Sequence, residues 1–348
     1  MHAVRRPDLN KAIEQMPKVE LHVHLEGSIS SETIVNLAQK NGIDVGIEKL
    51  NPTRLRYGHL INFLDAYRMR CQSLRSADDF ETACIDVLEN LRAQRVRYAE
   101  IMISPTMHRL NGHAMAEIMP GIEAGARRVC GKGGLQVRFI FDVGRQFGSE
   151  HAWQTVREAA SLQEFGVIAV GLGGDEIHYA PEIFVEQFQF ARKEGLHLIA
   201  HAGEVSGPPS VWGAVKALGA ERIGHGLGAR GDELLLEHLR IQKIGVDMCP
   251  TSNLHTGAVR SYADHPLPGY LRRGLLVTLN SDDPAMFGTT LTEEYKVAYE
   301  ELGLEWEELK RLSMNGVKAS FLPDMDKQEL LEQFADSLED IELEMRIH

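Results

Sequence analysis

Cysteine is scarce in this sequence: four residues in 348, Cys71, Cys84, Cys130 and Cys249, all widely separated along the chain. That spacing offers neither a disulfide framework nor a CxxC zinc knuckle, so the thiols are expected to be buried and free. Positive charge is also in deficit. Lys and Arg number 37 against 50 Asp and Glu, a net charge of −13, which leaves no electrostatic footprint for a phosphate backbone or an anionic membrane surface. Nucleic acid and membrane are therefore not expected partners. No apolar run approaches the roughly 20 residues needed to span a bilayer, and MHAVRRPDLNKAIEQMPKVE at the start contains no signal-peptide core, so a cytoplasmic location is expected. No Pro/Gly/Ser-rich linker, charge run or internal repeat divides the chain.

What the sequence does contain is alternation. Short apolar runs rich in β-formers are separated by longer segments of helical periodicity, the βαβα pattern of a parallel sheet. Eight such runs can be counted: Val19–His24, Val96–Ser104, Gln136–Asp142, Val167–Gly173, His197–Ala202, Glu221–Gly224, Ile244–Met248 and Leu276–Asn280. Ala152–Glu164, Ile183–Glu194 and Asp232–Gln242 between them carry apolar residues at three- and four-residue spacing. Eight strands with intervening helices predict a closed (β/α)8 barrel, with an open doubly wound sheet as the alternative. The gap between the first two strands is too long for one crossover, and Glu32–Lys40, Leu60–Leu74 and Ala77–Gln94 read as extra helices over the C-terminal mouth. Further helices follow the eighth strand, at Glu293–Glu301, Trp306–Ala319 and Asp326–Leu343.

Chemistry gathers at the predicted strand ends. In His22-Val23-His24 alternate residues of a strand face the same side, so both imidazoles can address one point. By itself HxH is a weak signal. The same kind of position recurs, however: His201 closes the fifth run, His225 follows the sixth and Asp282 follows the eighth. In a parallel barrel all strand C-termini surround one mouth, where polar residues read as catalytic. Three imidazoles and a carboxylate, His22, His24, His201 and Asp282, suit a first-row metal with one position left open.

On these residues the chain resembles the adenosine deaminase family. HVHLEG at 22–27, GGDE at 173–176, HAGE at 201–204, RIGHG at 222–226, CPTSN at 249–253 and NSDDP at 280–284 look like that family's ordered motif series, over about residues 17–320. The resemblance implies one (β/α)8 metal-dependent hydrolase domain over 1–348, with a helical lid insertion around 28–95. It implies one zinc per chain on His22, His24, His201 and Asp282. Glu204 would protonate purine N1, and His225 would orient the attacking water as its base or electrostatic partner. Asp283 would bond N7, the Gly174 N–H would meet N3, and His24 and Glu26 would also face the substrate. The implied reaction replaces the 6-amino group of an adenine nucleoside, adenosine or 2′-deoxyadenosine, by hydroxyl. Thr278 and Ser281 are candidate donors to the carboxylates at the site.

The sequence departs from the adenosine-specific pattern HxHLDG at Glu26, where an aspartate would meet the ribose hydroxyls. Glutamate there is also found in adenine deaminases and in deaminases of 5′-extended nucleosides such as aminodeoxyfutalosine. Gly174 and Gly224 in place of the adenine branch's serine and aspartate favour a nucleoside over the free base. A competing motif is Gly226–Gly231, a literal GxGxxG with Asp247 beyond it, which would make the chain a dehydrogenase. It leaves the histidine and acid motifs unexplained. A barrel that only binds, its catalytic set decayed, is disfavoured because every expected ligand and acid is present. The HxE…PCxxC deaminase class lacks its second half here. Arg145 is a candidate contact for an acidic substituent or a structural ion pair, and His178 a candidate pocket residue. His108, His113, His255 and His265 read as solvated loop residues, and Met102, Met107, Met115 and Met119 as core filler.

Overall fold

The computed structural model describes residues 6–44 and 60–347. Eight strands, β1 (Lys18–His24), β2 (Val96–Ile103), β3 (Gln136–Gly144), β4 (Val167–Gly173), β5 (His197–Ala202), β6 (Arg222–His225), β7 (Gly245–Met248) and β8 (Leu276–Leu279), lie side by side in chain order. Every neighbouring pair is parallel. The strands are almost wholly buried on both faces, as a sheet wrapped by helices requires, which is why they read as continuous apolar runs rather than alternating ones. This is the (β/α)8 barrel expected from the alternation.

The seam between β8 and β1 closes at the site itself. The Asp282 N–H donates to the His22 carbonyl at 3.0 Å and the His24 N–H to the Asp282 carbonyl at 2.9 Å. Lower down, the Asn280 side chain accepts from the Leu21 N–H at 2.9 Å, an amide standing in for a missing rung. Beneath the site lies a buried ionic cluster: Arg222 bridges Glu100 at 2.6 Å and Asp247 at 2.5 Å, and Thr278 donates to Asp247 at 2.7 Å. A buried charge survives only when paired in this way.

Between β1 and β2 run the helices Ser31–Lys40, Leu60–Gln72 and Ala77–Ala93. The last begins on a capping box, Ser76 accepting from the Asp79 N–H while Asp79 answers the Ser76 N–H. After β8 come Leu291–Glu300, Trp306–Ala319 and Asp324–Ile347. No helix among the described residues is long and apolar enough to cross a membrane. Cys71, Cys84 and Cys249 are buried and Cys130 partly so, all four as free thiols.

Candidate active site

Four imidazoles and two carboxylates meet at the C-terminal mouth. His22 is fully buried and His24 nearly so. Their Nε2 atoms stand 3.5 Å and 3.3 Å from one oxygen of Asp282. The His22 ring lies 4.5 Å from that of His201 and 4.7 Å from that of His225, centroid to centroid. The backbone is bent to achieve this: His225 and Asp282 adopt φ of +63° and +64°, a left-handed conformation that non-glycine residues rarely take and that concentrates at functional sites.

The donor set fits a metal ion. Ligating atoms of His22, His24 and His201 lie within 4.8 Å of one another, and His24, Asp282 and Asp283 form a second such group. Among the described residues both nitrogens of His22 and the Nε2 of His201 are buried without a hydrogen-bond partner, a cost that a cation bound at one nitrogen of each ring would lower. Burial, with the other imidazoles crowded around it, holds His201 well below its usual pKa, in the neutral form a ligand needs. Gly224 is required by this packing, for a Cβ there would stand 2.7 Å from the His22 ring. Gly224 therefore serves His22, and it does not line the cavity.

Above the cluster opens a cavity of about 370 Å³. Glu204, His225, Asp282 and Asp283 form its floor, together with His24 and Asp142. Burial, reinforced by the Asp282 and Glu176 carboxylates, pushes the Glu204 carboxyl up to about 8. Gly174, at φ +92°, lines one side next to Gln146. The mouth is largely apolar, with Phe63, Met107, Phe147 and Phe287, and carries Arg68.

Several expectations are corrected. Glu26 does not face the cavity: His108 Nε2 meets its Oε1 at 2.6 Å, the Ser104 N–H donates to the same oxygen at 3.0 Å, and the Tyr67 hydroxyl donates to Oε2 at 2.7 Å. Burial pushes this carboxyl up, but those three bonds outweigh it and hold Glu26 below its usual range. Glutamate is one methylene longer than aspartate, and its head lies in the wall rather than in the cavity. His108 and His265, read as solvated, are buried. Thr278 and Ser281 do fix carboxylates, but those of Asp247 and Glu20; the hydroxyl that reaches Asp282 belongs to Ser252, at 2.6 Å. Among the described residues Arg145 has no side-chain ion pair, and it does not line the cavity. It is buried and donates to the carbonyls of Tyr179, at 2.8 Å, and His201. His178 is exposed, paired with Asp175 at 2.8 Å, and lies outside the cavity wall. The GxGxxG segment is a short 3-10 turn packed on the HAGE loop: a Cβ at Gly228 would stand 2.1 Å from the Ser206 carbonyl, which leaves no room for a dinucleotide. Asp247, its would-be ribose acid, is the partner of Arg222 inside the barrel.

Sequence reasoning also passed over three residues. Asp142, at the end of β3, has an oxygen 3.3 Å from His24 Nδ1 and lines the floor; an acid at a strand C-terminus was a usable signal. Glu176 accepts from the backbone N–H groups of Gly203, Val205 and Ser206 and from Ser210, clamping the loop that carries Glu204. Asn253 donates to His225 Nδ1 at 3.1 Å.

A parallel barrel with this cluster at its C-terminal mouth defines a barrel hydrolase. The family model of adenosine deaminase matches residues 17–337, and the chain belongs to the adenosine deaminase family. Its activity is that of a hydrolytic deaminase. It is 39% identical over 320 residues to the aminodeoxyfutalosine deaminase of Streptomyces coelicolor, covering 90% of this chain and 82% of that one. It is 34% identical over 329 residues to the adenosine deaminase of Salmonella typhimurium, covering 92% and 98%. Among solved structures, the adenine deaminase from Arthrobacter aurescens superposes with a TM-score of 0.88 at 31% identity, covering 93% of this chain and 99% of that one.

Proposed function

We propose that the chain deaminates an adenine nucleoside, with one zinc ion held by His22, His24, His201 and Asp282. The observation that supports this most directly is the buried Glu204 carboxyl on the cavity floor, grouped with His201 and His225, beside two imidazoles, His22 and His201, with buried ring nitrogens that have no hydrogen-bond partner among the described residues. When bound, the metal lowers the pKa of a water molecule so that hydroxide is available near neutral pH. The water oxygen adds to C6, and the ring electrons move onto N1.

Glu204 delivers its proton to N1, which is what lets an aromatic ring accept the new bond. His225 orients the incoming oxygen. Asp283 bonds N7, and the Gly174 N–H meets N3. The C6–N bond then breaks as the new C6 hydroxyl passes its proton to the amine, which leaves as ammonia with the 6-oxo purine behind, and the proton lost by the attacking water restores the Glu204 carboxyl. With Glu26 turned into the wall, contact with the sugar falls to Tyr67 and Ser104, which line the cavity in its place. Of the proposed lid, residues 28–95 on a single barrel domain, 45–59 lie outside the described residues; the helix Leu60–Gln72 supplies Phe63, Tyr67 and Arg68 to the cavity wall.

The apolar mouth favours a second reading, in which the nucleoside carries a bulky 5′ substituent, as aminodeoxyfutalosine does. Phe63 and Phe287 stack there with centroids 5.3 Å apart, giving such a group an aromatic surface. The test is chelation followed by zinc titration, with ammonia release from adenosine as readout. Deamination should return at about one zinc per chain. Full activity in protein shown by elemental analysis to be free of transition metal would overturn the proposal.

A further inference from the structure

His225 has two ring nitrogens, and which one carries the proton decides what it can do at the cavity floor. The answer is set outside the site, at the start of the helix Leu267–Arg272. Pro266 has no N–H, so the first amide after His265 is that of Leu267, which as a helix N-terminal group has no partner within its own helix. It donates to His265 Nδ1 at 3.3 Å. A backbone amide can only donate, so Nδ1 of His265 must be the lone-pair nitrogen.

His265 is buried, and that burial, with His225 and Arg230 nearby, pushes its pKa down to about 3. The neutral ring then holds its one proton on Nε2, which faces the Asn253 Oδ1 at 3.1 Å and donates to it. That contact fixes the orientation of the amide, which X–H polarity alone would leave ambiguous. The Asn253 backbone is pinned as well, its N–H donating to Cys249 and its carbonyl accepting from Val259 at 3.0 Å. Asn253 Nδ2 must therefore point at His225 Nδ1, 3.1 Å away, and donate.

We propose that His265 and Asn253 are positioning residues that hold His225 in its Nε2–H tautomer, through an unbroken chain of donors starting at the Leu267 amide. Reversing any link would set two donors head to head in a buried site. The proton on His225 then points from Nε2 toward the cavity, where Glu204 Oε2 lies 3.7 Å away. This deepens the deaminase reading and rests on it for its consequence. His225 donates a hydrogen bond to the oxygen that adds at C6, and its site-facing nitrogen has no lone pair with which to take up that water's proton. Its part is that of a fixed donor and not of a base.

The tautomer is readable without activity. Protein labelled with 15N-histidine gives two-bond 1H–15N patterns that separate Nε2–H from Nδ1–H rings, and the His225 signals are those lost in His225→Gln. The expected pattern for His225 is Nε2–H in metal-free and zinc-loaded protein alike. In Asn253→Asp the carboxylate accepts where the amide donated, so His225 should switch to Nδ1–H. The zinc-loaded variant should lose about 10²-fold in kcat with little change in KM. His265→Gln, which keeps a donor toward Asn253, should stay closer to wild type than His265→Leu. An Nδ1–H pattern in the wild type overturns the proposal, as does an unchanged His225 pattern in a folded Asn253→Asp protein. Should that variant fail to fold, the wild-type spectrum decides alone. An Nε2–H pattern together with no deamination of any nucleoside would overturn the functional reading and leave the hydrogen-bond chain standing.

Discussion

His108 and Glu26, 82 positions apart in sequence, are joined by a 2.6 Å bond in the wall behind the cavity. Both side chains are fully buried, so each is the other's substitute for water. Removing His108 takes one of three hydrogen bonds from the buried Glu26 carboxylate, at a cost of about 1–3 kcal/mol. His108→Leu is expected to lose stability on that scale in urea denaturation. A variant as stable as the wild type would show that the pair does not hold the wall.

The same bond changes what Glu26→Asp should do. Aspartate is too short to keep His108, Tyr67 and Ser104 together, so the effect should reach the substrate through the displaced Tyr67 hydroxyl. The expected outcome is a changed ranking among adenosine and its 2′-, 3′- and 5′-deoxy analogues, with deamination retained. If the ranking is unchanged while stability falls, Tyr67 and Ser104 are not the groups that read the sugar.

Glu204→Gln should keep the fold and the metal content. An amide can bond N1 but has no proton to give at the pKa required, and general acid catalysis is worth about 10²–10⁴-fold. A fall in kcat of at least that lower figure, with metal analysis unchanged, is expected in steady-state kinetics. Near-normal turnover would remove Glu204 from the mechanism.

Glu294 links stability to pH. Burial pushes its carboxyl up to about 7 even though Thr251 and Thr289 bond it. In the unfolded chain it ionises near the ordinary glutamate value of about 4.3. Between those two values the folded state binds more protons than the unfolded one, so stability falls as pH rises and levels off above about 7. Glu294→Gln should remove this component. Relative to wild type the variant should gain at most about 3 kcal/mol between pH 4.5 and pH 8 in urea denaturation. A difference between the two proteins that is the same at both pH values would contradict it.

The barrel was legible because its strands are buried on both faces and end in turn residues; each of the eight runs falls within two residues of an observed strand end, and β4 and β5 coincide. The floor of the site was legible for a related reason: strand C-termini in a parallel barrel converge, so His22, His24, His201 and Asp282 could be placed together from position alone. What did not show were contacts between distant loops. Nothing local in the sequence tells that His108 reaches Glu26, or that His265 reaches Asn253, since neither lies on a strand whose direction fixes the side chain. Glu26 shows the converse. The motif shows that a glutamate follows β1, but its carboxylate lies in the wall, held by donors from Tyr67, Ser104 and His108 that the motif does not contain.

Action on the 6-amino group of an adenine that carries a sugar is what the proposed site requires. It is tested most directly by kcat/KM for adenosine, aminodeoxyfutalosine and adenine on the zinc-loaded wild type, followed by ultraviolet absorbance, since specificity is the ratio of those values. A nucleoside should exceed free adenine by a wide margin, because the wall formed by Tyr67, Ser104 and the apolar mouth has nothing to hold when the sugar is missing. Adenine as the best substrate would rule that requirement out.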